Sequence, residues 1–522
     1  MRFTTGVAIA AASFLVLPQT APASPTTQEQ MMYFRAYVQD DPACLPTAAA
    51  GVVDWNGIAT PAATCPDAFA WVSLLTSIRN EFWNDARDET VWPASPLPLC
   101  ATPGDSDCCD PSVLDQSTPI AGAPPAGCPY APGDWTDPPT LKITPTNRHA
   151  PAFVDELDPG RALRDEEGEQ VYRNAPMLRY IFEHNLYTKE GLGARFVAMN
   201  EALSKDVPFH RTDLSVRFPE DAVMVKVDWV HQRFMIDAKL IDPDLDPPQN
   251  PDTPYITVEM EGADPVDSGL YYLVAMTNAS KVLPGWHWYA IEHVANAGRC
   301  DFIGCNDSFG YAARGIEVDG ALHGTNYVPP FPLSEPENGA ATDIPSGYGK
   351  VYSADLTGET LTDALAGLYD GLGIGTAATD ADPAVLDPAD PAWRNYRLKG
   401  TQTSFTTNDG VTTLMGASVT EGGFVNSASC MTCHSQASVN AAGNPGVAGV
   451  GSISRLNIFG YQQSASGAPD EAWFYSHGGA VYDAFPVDFV WGILNAKCSA
   501  PADDTGELCK SYDGIVLTFG AD

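Results

Sequence analysis

Twelve cysteines in a chain of 522 residues constrain its fold more than any other feature. They form three groups: Cys44, Cys65, Cys100, Cys108, Cys109 and Cys128; then Cys300 and Cys305; then Cys430, Cys433, Cys498 and Cys509. In the last group Cys430-Met431-Thr432-Cys433-His434 has C-x-x-C-H spacing, the attachment sequence for a c-type haem. Two thiols add to the porphyrin vinyl groups, and the adjacent imidazole is placed to ligate the iron from one side. Cys430 and Cys433 are therefore expected to hold one covalent haem c, with His434 as an axial iron ligand.

Three other uses of this spacing have to be weighed. Zinc would need two more ligands at finger-like spacing, yet there is no second C-x-x-C and the next histidine is His477. A thioredoxin-like redox pair wants a strand before it and a helix after it, whereas residues 422–427 are rich in Gly and Asn. A plain disulfide between the two thiols is the third. The remaining ten cysteines are enough for five disulfides. Cys300 with Cys305 and Cys498 with Cys509 are expected to close local loops. The six N-terminal cysteines allow many pairings, but adjacent Cys108 and Cys109 should bond to different partners.

Residues 1–23 read as a cleaved secretory signal. Arg2 supplies the charge, residues 6–17 the apolar stretch and Ala21-Pro22-Ala23 the small-residue site, with cleavage before Ser24. The apolar stretch is too short for a membrane span, and no later segment is long enough. An exported protein, periplasmic or secreted, is expected, in a compartment where disulfides persist. Against 66 Asp and Glu stand only 28 Lys and Arg, a formal charge of -38. With no clustered cations to release counterions, nucleic acid is excluded as a partner, and a basic redox protein is the expected one. At 44% hydrophobic residues the chain buries a large core.

The expected class is α+β. Residues 24–140 read as a Cys- and Pro-rich disulfide-pinned subdomain with one amphipathic helix over 67–83. Residues 141–338 read as a β-rich body with a peripheral helix over 176–187 and strands over 222–230, 255–260, 269–277 and 285–294. In the last strand His287, Tyr289, Ile291 and His293 alternate with Trp286, Trp288, Ala290 and Glu292, so the two sets are expected to face opposite ways. Residues 339–392 read as an Asp- and Pro-rich connection. Its Asp-rich turns, like those at 242–252, lack the spacing of a calcium-binding loop. Residues 393–522 carry the cytochrome c-like haem segment, with a helix expected over 487–497.

The second axial position decides between electron transfer and catalysis. No Met follows Met431, so a methionine ligand would have to come from upstream, for instance Met415. His477 is the leading candidate for the sixth ligand and His293 a weaker one, with His287 weaker still. Arg394, Arg397 and Lys399 form a basic island suited to haem propionates or to ordinary pairing with nearby Asp.

Three stretches together resemble a group of exported bacterial proteins described only as cytochrome c family proteins. They are residues 284–309, beginning Pro-Gly-Trp-His-Trp-Tyr; Asn395-Tyr396-Arg397-Leu398-Lys399-Gly400-Thr401-Gln402; and residues 421–435. The resemblance implies haem attachment through Cys430 and Cys433 with His434 on iron, and a bacterial periplasmic setting, but no substrate. Three functions follow as expectations. The first is a monohaem c-type cytochrome with an electron-transfer or oxidoreductase role. The second is a haem-dependent peroxidase or oxygenase with its substrate pocket in the β-rich body. The third is a haem-based sensor or binding module.

Overall fold

The computed structural model describes residues 40–113, 127–129, 142–143, 163, 167–205, 214–261, 265–296, 299, 305, 307–312, 316–318, 321–323, 360–378, 386–407, 413–421, 428–446, 467–469, 474–475, 481–499 and 509. Runs of alternating and β-branched side chains build an eight-stranded antiparallel sheet. Its strands are β1 (Ala86–Arg87), β2 (Lys142–Ile143), β3 (Glu167–Arg173), β4 (Val223–His231), β5 (Thr257–Met260), β6 (Gly269–Ser280), β7 (His287–His293) and β8 (Tyr396–Gln402). The spatial order is β8-β7-β6-β4-β3-β1, with β2 on the edge of β3 and β5 on the edge of β6. The register aligns Glu169 with Asp228, Asp228 with Ala275, Ala275 with Glu292 and Glu292 with Arg397. One row across five strands is thus rich in ionisable side chains.

Both faces of the sheet are covered. On one side Val225, Val227, Met276, Tyr289 and Ile291 pack with helix α1 (Pro66–Arg79) through Trp71, Leu74, Leu75 and Ile78. On the other side Met224, Ala275, Ala279, Trp288 and Ala290 pack with helix α2 (Ala175–Glu183), helix α3 (Lys189–Ser204) and the C-terminal segment. The fold is α+β with a β-rich body, as its strand pattern predicts. No described helix is long and apolar enough to cross a membrane.

The sheet draws β1 from the Cys-rich N-terminal part and β8 from the segment that carries C-x-x-C-H, so neither part stands apart from the body. Two expectations need correction. Within the stretch read as a connection, α4 (Asp363–Leu372) forms, with the Thr362 hydroxyl accepting from Leu365 N and Gly373 closing the end at φ 75°. Leu365, Leu368, Tyr369 and Leu372 bury it in the α1 core. The helix expected over 487–497 does not form. Asp488 and Phe489 take left-handed φ values of 51° and 68°, leaving only a 3-10 turn at Trp491–Asn495.

Disulfides join Cys44 to Cys65, Cys100 to Cys108, Cys109 to Cys128 and Cys498 to Cys509. Cys108 and Cys109 do bond to different partners. Cys305 is also disulfide-bonded, while Cys300 and the secretory signal lie outside the described residues.

Carboxylates fasten α1 to the sheet. Asp40 accepts from the Asp67 and Ala68 amides at 2.7 and 2.8 Å, satisfying first-turn donors that the helix cannot. Asp67 accepts from the Ser308 amide and from the Thr401 hydroxyl on β8. Asp307 accepts from Trp71 Nε1 at 3.0 Å and from the amides of Phe309 and Gly310. Burial, reinforced by neighbouring carboxylates, pushes Asp67 and Asp307 up to about 7. Their stability contribution is therefore full below the ordinary value of 3.8 and lost as pH rises through about 7. Asp307→Ala orphans three donors and is expected to lower the unfolding free energy by about 3 kcal/mol in urea titration. Asp307→Asn keeps an acceptor and should cost about 1 kcal/mol. Equal losses for the two variants would refute this account of the fastening.

Candidate haem-attachment site

One short helix, α5 (Cys430–His434), carries the motif. Positions i, i+3 and i+4 share a helix face, so Cys430, Cys433 and His434 project together. Ser429 caps the helix by accepting from Thr432 N at 3.2 Å. Gln402 at the end of β8 holds the same turn: its Oε1 accepts from Met431 N, and its Nε2 donates to the hydroxyls of Ser429 and Thr413 and to the Thr413 carbonyl. At the other end Trp491 Nε1 donates to the Cys433 carbonyl at 3.0 Å.

Cys430 and Cys433 are the cysteines without a disulfide among the described residues. Burial, then the charge of Glu421, pushes the Cys430 thiol well above the usual cysteine range. A thioredoxin-like nucleophile needs the opposite shift. Zinc lacks further ligands too among the described residues. Among the described residues the one group of three donors within reach of each other is Glu190, Cys498 and Cys509, and its two sulfurs are bridged.

The imidazole of His434 is oriented on both sides. Its Nδ1 lies 2.9 Å from the Phe489 carbonyl, which only accepts, so Nδ1 carries the proton. The Nε2 is left as the basic nitrogen and has no hydrogen-bond partner among the described residues. Trp288 of β7 packs on the ring at 4.4 Å between centroids. Burial pushes His434 down to about 4, against the pull of the Phe489 bond and aided by the charges of Lys226 and Arg173. A neutral imidazole with Nδ1–H fixed on a carbonyl is the form that ligates a metal through Nε2.

The carbonyl comes from a strained turn. Left-handed φ values at two successive non-glycine residues, Asp488 and Phe489, cost about 1–3 kcal/mol each. A buried guanidinium stands beside this turn. Arg173 on β3 lies against Gly492 and pairs with Asp88 at 3.2 Å, while its Nε and Nη1 have no acceptor among the described residues. Two thiols outside the disulfide set, a preset imidazole and a buried guanidinium together have the chemistry that a covalent haem and its propionates require.

The other candidates lie elsewhere. His293 is on the opposite face of β7, stacked on Tyr255, with Nε2 3.3 Å from the Pro254 carbonyl and Nδ1 accepting from Ala295 N. His287 faces α1, with Nε2 3.1 Å from the Pro66 carbonyl. The structure brings neither to His434. His477 lies outside the described residues. Met415 packs beside Cys430, sulfur to sulfur at 3.7 Å. The basic island is occupied: Arg394 pairs with Asp370, Arg397 donates to Tyr311, and Lys399 donates to the Arg299 carbonyl.

Sequence reasoning missed Gln402, Trp288, Arg173 and the Asp488–Phe489 turn, all of which reach the motif across long separations. Ser429 alone had a local signal, a capping residue directly before the motif.

In the haem-free thiol form His434 is expected to stay neutral until about pH 4, measured by NMR titration of its ring protons. The stability tied to the neutral ring is present above the ordinary 6.5 and lost as pH falls through about 4. A midpoint at 6.5 would mean that the ring is not held on Phe489. No protein-family model matches the chain, and no curated protein or solved structure shows significant similarity to it.

Proposed function

We propose that this chain is an exported monohaem c-type cytochrome with an electron-transfer role, its haem joined to Cys430 and Cys433 and its iron ligated by His434. The observation that carries the proposal is the hydrogen bond from His434 Nδ1 to the Phe489 carbonyl beside two thiols that stay out of the disulfide set. Bound there, a haem supplies one-electron exchange between ferric and ferrous iron. The chain's own residues do the rest. Gln402 and Ser429 hold the motif turn rigid, Trp288 and Phe489 fix the imidazole plane, and Arg173 offers two N–H donors to a propionate. The disulfides support export to an oxidising compartment. The chain's charge supports a basic redox partner.

A second reading, a haem-dependent oxidoreductase acting on a small organic substrate, is favoured by one observation. A cavity of about 560 Å³ opens beside α5, with Met431, Phe405, Leu283, Pro284 and Ser404 in its wall. Its size and mostly apolar lining suit a small ligand.

Protein exported from a host with active haem maturation should carry one haem that resists acid extraction. Cys430→Ala or Cys433→Ala should leave a single thioether, and the double variant none. No covalent haem in the unaltered protein would end both readings. A reduced spectrum indifferent to carbon monoxide would favour electron transfer, and a carbon monoxide adduct the enzyme. Arg173→Met should retain the covalent haem but lower the melting temperature of the loaded protein by roughly 2–4 °C more than that of the haem-free form. Equal shifts would remove Arg173 from the propionates.

A further inference from the structure

We propose that Asp488, clamped by Lys281 and Trp286, is a positioning residue that holds the Phe489 carbonyl on His434 and thereby sets the donor strength of the imidazole toward iron. The proposal rests on the haem reading above. It begins from a conflict: Asp488 and Phe489 adopt a left-handed backbone without being glycine, and such a conformation persists only where its surroundings over-determine it.

The surroundings do so here, and they come from two distant parts of the chain. Lys281, at the start of the β6–β7 turn, pairs with Asp488 Oδ1 at 2.6 Å and also donates to the Pro284 carbonyl at 2.9 Å. The second carboxylate oxygen accepts from Phe218 N at 2.7 Å. Trp286 Nε1 donates to the Asp488 carbonyl at 3.0 Å. Trp286 is itself left-handed, with φ 63°, and fully buried. Both oxygens of the side chain and the main-chain carbonyl of Asp488 are therefore tied down, by the β6–β7 turn and by the segment that leads into β4. The next carbonyl, that of Phe489, points to His434 Nδ1.

This geometry has a chemical consequence. A hydrogen bond from the far nitrogen of a ligating imidazole raises its basicity and fixes its ring plane. A stronger donor stabilises the ferric over the ferrous state, so a carbonyl held firmly lowers the reduction potential, and a loosened one raises it. The clamp is not needed to attach haem, because it touches neither thiol.

Two variants test it without changing net charge. Trp286→Phe removes one N–H donor and keeps an aromatic ring. The double variant Lys281→Met with Asp488→Asn removes the ion pair without leaving a lone buried charge. Each is expected to bind covalent haem in full, to raise the midpoint potential in a spectroelectrochemical titration, and to speed exchange of the His434 Nδ1 proton about tenfold in the haem-free protein. An unchanged potential with unchanged Nδ1 exchange in Trp286→Phe overturns the clamp. Loss of haem attachment in both variants also overturns it, because the device would then be structural. Absence of covalent haem from the unaltered protein is a separate failure, that of the haem reading, and the Nδ1 exchange still decides whether the clamp holds the ring.

Discussion

Every residue of β7 is buried, and the rest of the architecture follows from that. An antiparallel sheet commonly leaves one face to solvent. Here Trp288 and Ala290 on one side and Tyr289 and Ile291 on the other all need cover. The part linked by Cys44–Cys65 closes one face with α1 and α4, and the C-terminal segment closes the other with α2, α3, α5 and the part linked by Cys109–Cys128. The motif helix inherits a rigid floor in which Trp288 and Gln402 are paired positions of β7 and β8.

Burial on both faces also sets the electrostatics. Asp228 and Glu292 point into the layer beneath the motif, and the loop that carries Met415 is fastened to them. Thr420 donates to Asp228 at 2.6 Å, and the Ser418 amide and hydroxyl donate to Glu292. Burial pushes Asp228 up to about 7. The shifts at Asp228 and His434 are opposite in direction and share a cause, because burial disfavours the charged form of each.

How much of this was legible depends on range. The motif is contiguous, so its spacing could be read directly, and the alternation in residues 287–293 placed His293 and Trp288 on opposite faces. Strands β4 to β7 were visible because branched and aromatic residues cluster in them. The helix over 363–372 was obscured by the Asp- and Pro-rich stretch that follows it. The expected helix over 487–497 failed for a reason no local pattern holds: Asp488 is pulled out of helical geometry by Lys281, Trp286 and Phe218. Arg394, Arg397 and Lys399 look available in sequence, yet each is committed by contacts with residues that sequence does not bring near. Arg173 shows no local sign of its place, because what marks it is a buried guanidinium whose Nε and Nη1 meet no acceptor among the described residues.

Around the motif three buried or half-buried cations of the described residues each have an anion: Arg173 with Asp88, Lys226 with Glu169, Lys281 with Asp488. After desolvation such pairs return little net stability, and apolar residues of similar volume would serve the core as well. What an apolar pair would not supply is direction. The Lys281 ammonium fixes a carboxylate and through it a carbonyl, and the Arg173 fork presents N–H groups beside Gly492. The charge of -38 is therefore not what shapes the site. The surplus acid lies outside these pairs, while inside them Lys281 holds the residue whose neighbour, Phe489, meets the His434 ring.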